Sequence, residues 1–245
     1  MTVSPAVLMR IVLASLALLG LACASGGVGA NSKVYYATGG NAVTPDGLHQ
    51  VKWEPFATTF VRPGAKLGGY DAILLDAVTV SYQRPPRRNI MPGTGSMDAN
   101  FSLSSSAIDH MKRYFKQAFT KELSRSNDFQ IADAPGPNVL RISGHIVGLV
   151  ITAPPLKDQL PTETVYTSSS GTMTLVLDAE DSVSGETLVR VGQRSAIAQG
   201  NGIGDFYNSN PVSNAGAVRQ LFDSWASDLR RELDQFKSLP EIPES

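Results

Sequence analysis

The chain has 245 residues, a hydrophobic fraction of 42%, a charged fraction of 18% and a formal net charge of −1 at pH 7. This composition is typical of a globular body large enough to stand on its own hydrophobic core. The near-neutral charge argues against nucleic acid as a partner, because nucleic-acid-binding domains usually carry a basic face.

The N-terminus indicates an export signal. Residues 11–22 are apolar, a run too short for a transmembrane helix, which needs roughly 20 residues, but suited to a signal core of about 7–15 residues. Arg10 supplies the positive charge that precedes such a run. Because Met9 would begin a more ordinary signal, we predict that translation starts there. An N-terminal peptide containing Val3 or Ala6 would contradict this prediction.

Cys23 is the only cysteine in the chain and directly follows the apolar run. The segment Gly20-Leu21-Ala22-Cys23 resembles a lipobox, with cleavage between Ala22 and Cys23 and a lipid on the thiol. The segment differs from most lipoboxes at Gly20, where they carry Leu. The alternative is an A-x-A site at residues 22–24 for ordinary signal peptidase, which would release a soluble periplasmic protein. A buried core cysteine is the third interpretation.

We expect four segments along the chain. Residues 1–22 form a lipoprotein signal peptide, residues 23–33 a flexible tether, residues 34–238 a single α+β periplasmic domain and residues 239–245 a frayed tail. The tether is rich in small residues and glycine, as flexible linkers are. Up to about residue 69 the domain is rich in turn residues, so we expect mostly extended loop there.

Residues 72–82 are predicted to form a strand, because their apolar residues recur with a period of two. This pattern places Leu74, Val78, Val80 and Tyr82 on one face, which Asp76 shares. An unpaired carboxylate on an apolar face is costly. We therefore expect Asp76 to be hydrogen-bonded or paired with an arginine of the sheet, and a ligand-facing carboxylate is the alternative.

Two amphipathic helices are predicted, over residues 105–126 and over residues 214–236. Ser106 and Asp109 are expected to form a capping pair at the start of the first helix. The apolar stripe of the first helix contains Ile108, Met111, Phe115, Phe119 and Leu123, and that of the second contains Val218, Leu221, Phe222, Trp225, Leu229, Leu233 and Phe236.

Further strands are predicted over residues 129–132 and 139–152. The second alternates, with Leu140, Ile142, Ile146 and Val150 on one face and Arg141, Ser143 and His145 on the other. Residues 172–181 and 187–198 are predicted to form a β-hairpin. One register joins both apolar faces, with Asp181 opposite Thr187, Ala179 opposite Val189 and Leu177 opposite Val191.

The same register opposes Asp178 and Arg190 on the outer face of the hairpin, as an exposed pair worth about 0.2–1 kcal/mol. Asp178 and Glu180 share that face and are expected to be solvated. The order of the elements is not a βαβ repeat. It predicts the α+β class, with an antiparallel or mixed sheet of about five strands and two amphipathic helices packed on one face.

Four short segments at turns and strand starts are distinctive, namely Asp46-Gly47-Leu48, Arg62-Pro63-Gly64, Tyr70-Asp71 leading into Asp76-Ala77-Val78, and Pro137-Asn138-Val139-Leu140-Arg141. Together they resemble a family of Gram-negative lipoproteins, domain of unknown function 3313 (DUF3313), over residues 44–198. The resemblance implies a periplasm-facing lipoprotein of the outer membrane, since Ala24 is not the Asp that commonly retains lipoproteins in the inner membrane. It implies no catalytic residues, because none is assigned to the family.

No pattern of residues indicates a catalytic, metal or cofactor site. The three histidines, His49, His110 and His145, lack the spacing of a zinc site. The serine-containing segments 93–96 and 168–171 lack the G-x-S-x-G elbow of serine hydrolases. Residues 200–204 contain three glycines but not the order of a phosphate-binding loop. We therefore predict no enzyme activity, no metal and no cofactor.

One cluster of charge, Arg84, Arg87 and Arg88, lies in a segment predicted to be a loop. It is suited to phosphates of lipid or lipopolysaccharide headgroups or to an acidic protein, and a solubilising loop is the alternative interpretation. The aromatic residues Phe222, Trp225 and Phe236 of the second helix suit either the core or an oligomer face, and periodicity alone fixes neither, so the sequence assigns no oligomeric state.

Three classes of function remain. We favour a non-enzymatic module, anchored to the membrane by the lipid on Cys23, that binds an envelope protein or glycolipid. A carrier of a lipid-like ligand would need an open pocket beneath the aromatic residues of the helix stripes, whereas a binding module predicts a filled core. An envelope hydrolase would need Asp76, His145 and the loop at residues 168–170 to meet in space.

Overall fold

The structure is a computed structural model that describes residues 37, 39–40, 42–84, 100–152, 166–167, 169–199, 207–208 and 211–242. Within these residues the chain forms ten β-strands and two α-helices. In chain order they are β1 His49–Val51, β2 Thr58–Val61, β3 Ala72–Leu75, β4 Thr79–Tyr82, α1 Ser105–Leu123, β5 Gln130–Ile131, β6 Val139–Ile151, β7 Tyr166–Thr167, β8 Ser169–Asp181, β9 Thr187–Gln199, β10 Tyr207–Asn208 and α2 Pro211–Ser238.

Strand β6 is the centre of a mixed eight-stranded sheet, in the order β1-β2-β9-β8-β6-β3-β5 with β4 also paired to β6. The neighbouring strands β1, β2, β9, β8 and β6 pair antiparallel with one another. Strands β3 and β4 both run parallel to β6. The α+β class is confirmed, with more strands than the sequence predicts. Two of them, β1 and β2, lie in the segment predicted to be mostly loop, because strands of three and four residues are too short to show a period.

Helix α1 is capped by Ser104, whose hydroxyl oxygen accepts a hydrogen bond from the backbone N–H of Ala107 at 3.1 Å. The predicted capping pair of Ser106 and Asp109 is therefore wrong, and the Ser106 hydroxyl instead lies 2.9 Å from that of Ser104. The helix ends at Leu123, before the predicted end at residue 126.

Both helices pack on one face of the sheet, which we call the inner face. The ring of Phe115 stacks on Phe119 at a centroid distance of 4.1 Å and meets Phe222 edge-on at 5.8 Å. A Cβ atom built on Gly144 would lie 2.6 Å from Cζ of Phe115, so this ring rests directly on the β6 backbone. The sheet contributes the buried residues Leu140, Ile142, Ile146, Leu149, Met173, Leu175 and Leu177. The space beneath the helix stripes is thus filled by side chains.

The strand predicted over residues 72–82 is broken into β3 and β4, which pair with successive halves of β6. The break at residues 76–78 shifts the alternation of side chains. Val78 is buried in the core, whereas Leu74 lies opposite Arg141 of β6 on the outward face. The prediction that Leu74 and Asp76 share the apolar face with Val78 is therefore wrong.

A bulge in β6 changes another predicted face. Gly148 has a φ of 62°, and the pairing of β6 with β8 is interrupted there. Glycine adopts this left-handed conformation without steric cost. After the bulge Leu149 is buried in the core in place of the predicted Val150, because one extra residue reverses the alternation.

The hairpin of β8 and β9 keeps its predicted register up to Ala179, which lies opposite Val189. A bulge after Ala179 then places Glu180 opposite Thr187. The predicted pairing of Asp181 with Thr187 is wrong for this reason. The apolar alternation on either side of a bulge does not show where the extra residue is inserted.

The segment that follows α2 is packed against the domain as far as Ile242. Ile242 is 1% exposed, its carbonyl accepts a hydrogen bond from the N–H of Gly64, and its N–H donates to the carbonyl of Ala65, both at 2.7 Å. The sequence predicts a frayed tail from residue 239, because the segment is short and proline-rich. The contact of Ile242 with the turn at Gly64 and Ala65, which is far away in the sequence, holds this segment in place as far as Ile242.

Candidate functional site

The face of the sheet opposite to the helices, which we call the outer face, carries polar residues on neighbouring strands. The network consists of Arg141, Ser143 and His145 from β6, Asp178 and Glu180 from β8, and Arg190 from β9. The pairing places Ser143, Asp178 and Arg190 in one row across the strands. Since directly paired side chains lie about 5 Å apart, the strand ladder itself assembles this network. The predicted outward face of β6 is confirmed.

Asp178 is the centre of the network. Its Oδ1 accepts a hydrogen bond from Nε of Arg190 at 2.5 Å, and the same guanidinium reaches Asp46, with 3.1 Å between Nη1 and Oδ2. Burial opposes the charged form of Arg190, but the two carboxylates outweigh it and raise the pKa of Arg190. The predicted pair with Arg190 is present. Asp178 is not solvated as predicted, however, because only 10% of its side chain is exposed.

Glu180 differs from Asp178 although both point outward from β8. Burial raises the pKa of Glu180, and the charge of Asp178 adds to this rise. The Ser143 hydroxyl donates to Oε2 of Glu180 at 3.5 Å, and the charge of Arg141 partly opposes the rise. The outer face therefore offers one carboxylate engaged by arginine and a second whose pKa is raised by burial.

His145 lies beside Asp178 on the outer face. Its Nδ1 is 2.8 Å from Oγ1 of Thr79, and its Nε2 is 3.9 Å from Oδ2 of Asp178. Hydroxyl, imidazole and carboxylate are the groups of a nucleophilic relay. The imidazole-to-carboxylate distance exceeds that of a hydrogen bond, however, and Arg190 engages the other oxygen of Asp178. We therefore assign His145 a structural role in the network.

Asp76 lies at the edge of this network. Its Oδ2 is 3.7 Å from Nε of Arg141, and its side chain is 45% exposed. The expectation that Asp76 pairs with an arginine of the sheet is confirmed. Because Asp76 is half exposed on the outer face, it is not the buried carboxylate that the strand pattern predicted.

The three groups of the hypothetical hydrolase do not meet. Ser170 is buried, and its hydroxyl donates to Oδ1 of Asn214 at 2.7 Å. Along β8, Ser170 is six residues from Val176, the partner of His145, and six residues of strand span about 20 Å. Ser170 therefore lies at the far end of the sheet from the polar network.

Most of the other predicted site residues lie outside the part of the chain that the structure describes. Arg84 is exposed, and its carbonyl accepts a hydrogen bond from Nδ2 of Asn100 at 2.9 Å. The predicted lipidation and cleavage residues Cys23 and Ala22, the basic residues Arg87 and Arg88, and the glycine-containing segments 93–96 and 200–204 lie outside the described residues. Within the described ranges, no three or more His, Cys, Asp or Glu side chains are placed to hold a metal ion. No described helix is both long enough and apolar enough to span a membrane.

A second polar site, which the sequence interpretation missed, lies inside the core. Glu232 of α2 is 1% exposed, and its Oε1 accepts a hydrogen bond from the Thr59 hydroxyl at 3.3 Å. Burial raises the pKa of Glu232 to about 8, against the effect of Thr59 and with a smaller contribution from Asp228. This carboxyl group is therefore largely protonated at neutral pH.

Aromatic side chains lie close to Glu232 in the core. Phe236, one helical turn further along α2, stacks on Trp53 at a centroid distance of 4.7 Å. Among the described residues, neither Nε1 of Trp53 nor Oε2 of Glu232 has a hydrogen-bond partner. The sequence does contain a signal for the burial of Glu232. Position 232 follows Leu229 by three residues and precedes Phe236 by four, which places it on the apolar stripe of the helix.

These features define an α+β domain with helices on one face of a mixed sheet and a polar network on the other. The family model described as "Protein of unknown function (DUF3313)" matches residues 45–229, about three quarters of the chain, and the chain belongs to this family. The match confirms the resemblance seen in the turns and strand starts. It extends beyond residue 198 into α2.

Several solved structures are similar to this chain at low identity. The PelC L103M dodecamer from Paraburkholderia phytofirmans is 13% identical over 71% of this chain and 96% of that chain, with a TM-score of 0.33. Protein XCC0632 from Xanthomonas campestris, of the family DUF330, is 11% identical over 69% of this chain and 89% of that chain, with a TM-score of 0.37. No curated protein matches this chain.

Proposed function

We propose that this protein is a lipid-anchored envelope protein whose folded domain is a non-enzymatic binding module. The observation that carries the proposal is the difference between the two faces of the sheet, since one is filled by the helices and the other presents a partly exposed polar network. The apolar run before Cys23 supports cleavage after Ala22 and a lipid on Cys23. The domain would then face the periplasm from the outer membrane.

The filled core favours a binding module over a carrier of lipid-like ligands. Such a carrier would need room beneath the helix stripes, where Phe115, Phe222 and Trp225 are at most 2% exposed. The Phe115 ring already lies against the backbone at Gly144. A ligand in this space would have to displace the side chains that join both helices to the sheet.

The outer face is the proposed contact surface. His145 and Asp76 expose 39% and 45% of their side chains there, around the half-buried Val176. A small apolar centre with a polar surround is the usual composition of a non-obligate protein interface. The partner we propose is an envelope protein or a glycolipid.

The lipid anchor is tested by the intact mass of the membrane-extracted protein and of its Cys23→Ala variant, with fractionation of both. We expect a diacylglycerol-sized mass increment that the variant lacks, and release of the variant from the membrane. An unmodified wild-type product beginning at Ser25 would contradict the anchor and indicate a free periplasmic protein.

The contact surface is tested by a photo-cross-linking residue at Thr174, a position on the outer face of β8, in living cells. Val176→Lys should abolish the cross-linked product, because it places a charge at the centre of the surface. The matched control is Val183→Lys, since Val183 is 68% exposed at the hairpin turn. Equal yields from both variants would refute this surface, and ester or glycan hydrolysis lost in His145→Ala would refute the non-enzymatic assignment.

A further inference from the structure

The solvent side of α1 carries three exposed cationic side chains, Lys112, Arg113 and Lys116, which we call the basic face. With 100° between successive residues and a rise of 1.5 Å, they lie within about 100° of the helix circumference and about 6 Å of its length. Asp109 is the one acidic residue among them. The region is therefore positive although the whole chain has a net charge of −1.

The cations of the basic face are not used to stabilise the fold. Among the described residues, none of the three forms an ion pair. The C-terminal end of the helix differs, because Lys121 binds Asp223 of α2 at 2.9 Å, and Arg125, just beyond the end of α1, binds Glu122 at 2.6 Å. The cation of Lys121 thus joins α1 to α2, whereas the three cations of the basic face pair with no carboxylate among the described residues.

The orientation of the basic face is set by the core. Phe115 and Phe119 are completely buried on the core-facing side of α1. At the junction of the helices, the guanidinium of Arg219 lies 4.2 Å from the centre of the Tyr114 ring, and its Nη2 donates to the Tyr114 hydroxyl at 2.8 Å. These contacts fix the rotation of α1 about its own axis, so the basic face remains exposed.

We propose that the basic face binds the anionic phospholipid headgroups of the leaflet that holds the Cys23 lipid. This rests on the lipid anchor of the proposed function. Charge complementarity supports the proposal, because three unpaired cations match a surface of phosphates, whereas a folded protein partner would have to supply matched carboxylates. Each Lys or Arg near an anionic leaflet strengthens binding roughly fivefold, so three strengthen it roughly a hundredfold.

The length of the chain permits both contacts at once. The N–H of Ala37 donates to the carbonyl of Gln50 in β1 at 2.9 Å, so the chain joins the sheet at that edge. Helix α1 lies nearest β3 and β5, and β3 is five strand spacings from β1, about 24 Å. Residues 24–36 can extend over at most about 45 Å, so a lipid on Cys23 does not prevent α1 from reaching the same leaflet.

The experiment uses the Cys23→Ala protein recovered from the periplasm, in which no lipid obscures headgroup binding. Co-sedimentation is measured with phosphatidylcholine vesicles, with and without about 30% phosphatidylglycerol, at low and high salt. The test variant adds Lys112→Gln, Arg113→Gln and Lys116→Gln, which retain helix propensity. The matched control adds Lys52→Gln, Lys66→Gln and Arg194→Gln, three exposed positions outside α1.

We expect Cys23→Ala to bind only the anionic vesicles and to be released by salt, with binding roughly a hundredfold weaker in the test variant and unchanged in the control. Equal losses in both variants, or no binding of Cys23→Ala to anionic vesicles, would overturn the proposal. A wild-type protein without lipid whose binding still depends on the basic face would refute the anchor alone. A lipidated wild type whose Cys23→Ala form ignores anionic vesicles would refute only the basic-face proposal.

Discussion

The inner face of the sheet buries the carboxyl group of Glu232, which pairs with no cation among the described residues. The outer face buries the carboxyl group of Asp178 beside Arg190. In the core, burial raises the pKa of Glu232 to about 8. On the outer face, the guanidinium of Arg190 lies 2.5 Å from Asp178 and also contacts Asp46. The same chemical group is thus accommodated by holding a proton on one face and by pairing on the other, according to which side chains the fold brings near it.

The two faces also differ in what their residues contribute. The aromatic residues of the inner face fill the space between helices and sheet, so they should dominate the free energy of unfolding. The network of the outer face remains partly exposed, so it should contribute less to stability and more to recognition. Four substitutions test this division of roles.

The largest effect is expected from Phe115→Ala. Removing this fully buried ring should lower the free energy of unfolding by about 3–5 kcal/mol, because the cavity left among aromatic neighbours cannot close completely. Urea denaturation of the variant and of Gln117→Ala, an exposed position on the same helix, measures the difference. A loss below about 1 kcal/mol would show that the inner face is loosely packed.

Glu232→Gln should change the pH dependence of stability. The pKa of Glu232 is about 8 in the folded protein against 4.5 for an ordinary Glu, so between these values the folded state holds a proton that the unfolded chain releases. The wild-type free energy of unfolding therefore falls as pH rises through this window, with a limiting slope of about 1.4 kcal/mol per pH unit. Chemical denaturation across the window should show a flatter profile for the variant, and parallel profiles would contradict a protonated Glu232.

Asp178→Asn should cost about 1.5–3 kcal/mol, because it weakens a charge-assisted hydrogen bond and leaves Arg190 with one carboxylate fewer. Asp228→Asn is the matched control, since Asp228 pairs with Arg231, which is 55% exposed, and such pairs are worth about 0–1 kcal/mol. Thermal unfolding of both variants gives the comparison. Equal losses would mean that the outer network is no more than a set of surface ion pairs.

Of the four test substitutions, Gly144→Ala is expected to cost the least stability, about 1–3 kcal/mol, because the added methyl group presses on the Phe115 ring. In contrast, Gly216→Ala in α2 meets nothing within 4 Å and should stabilise the protein by about 0.5–1 kcal/mol through helix propensity. Denaturation midpoints of the two variants should therefore move in opposite directions. A Gly144→Ala protein as stable as the wild type would show that the ring has room to withdraw.

Much of the fold was predictable because its signals are local. The helix stripes, the hairpin up to Ala179 and the outward face of β6 follow from periods of three to four or of two residues. The polar network was predictable in part, since the pairing of Asp178 with Arg190 follows from the hairpin register. The contact of Arg190 with Asp46 was not predictable, because the two residues are 144 positions apart in the chain.

The local pattern of residues was sufficient to predict the α+β class, the family resemblance and the apolar side of each helix, because neighbours in the chain carry that information. Tertiary structure decided the bulges at Gly148 and after Ala179, and it also decided the state of Glu232. The partner of Glu232, Thr59, lies 173 positions away, and whether a carboxyl group pairs or keeps its proton depends on such distant neighbours. Periodicity places a side chain on a face, but only the packed structure shows what that face meets.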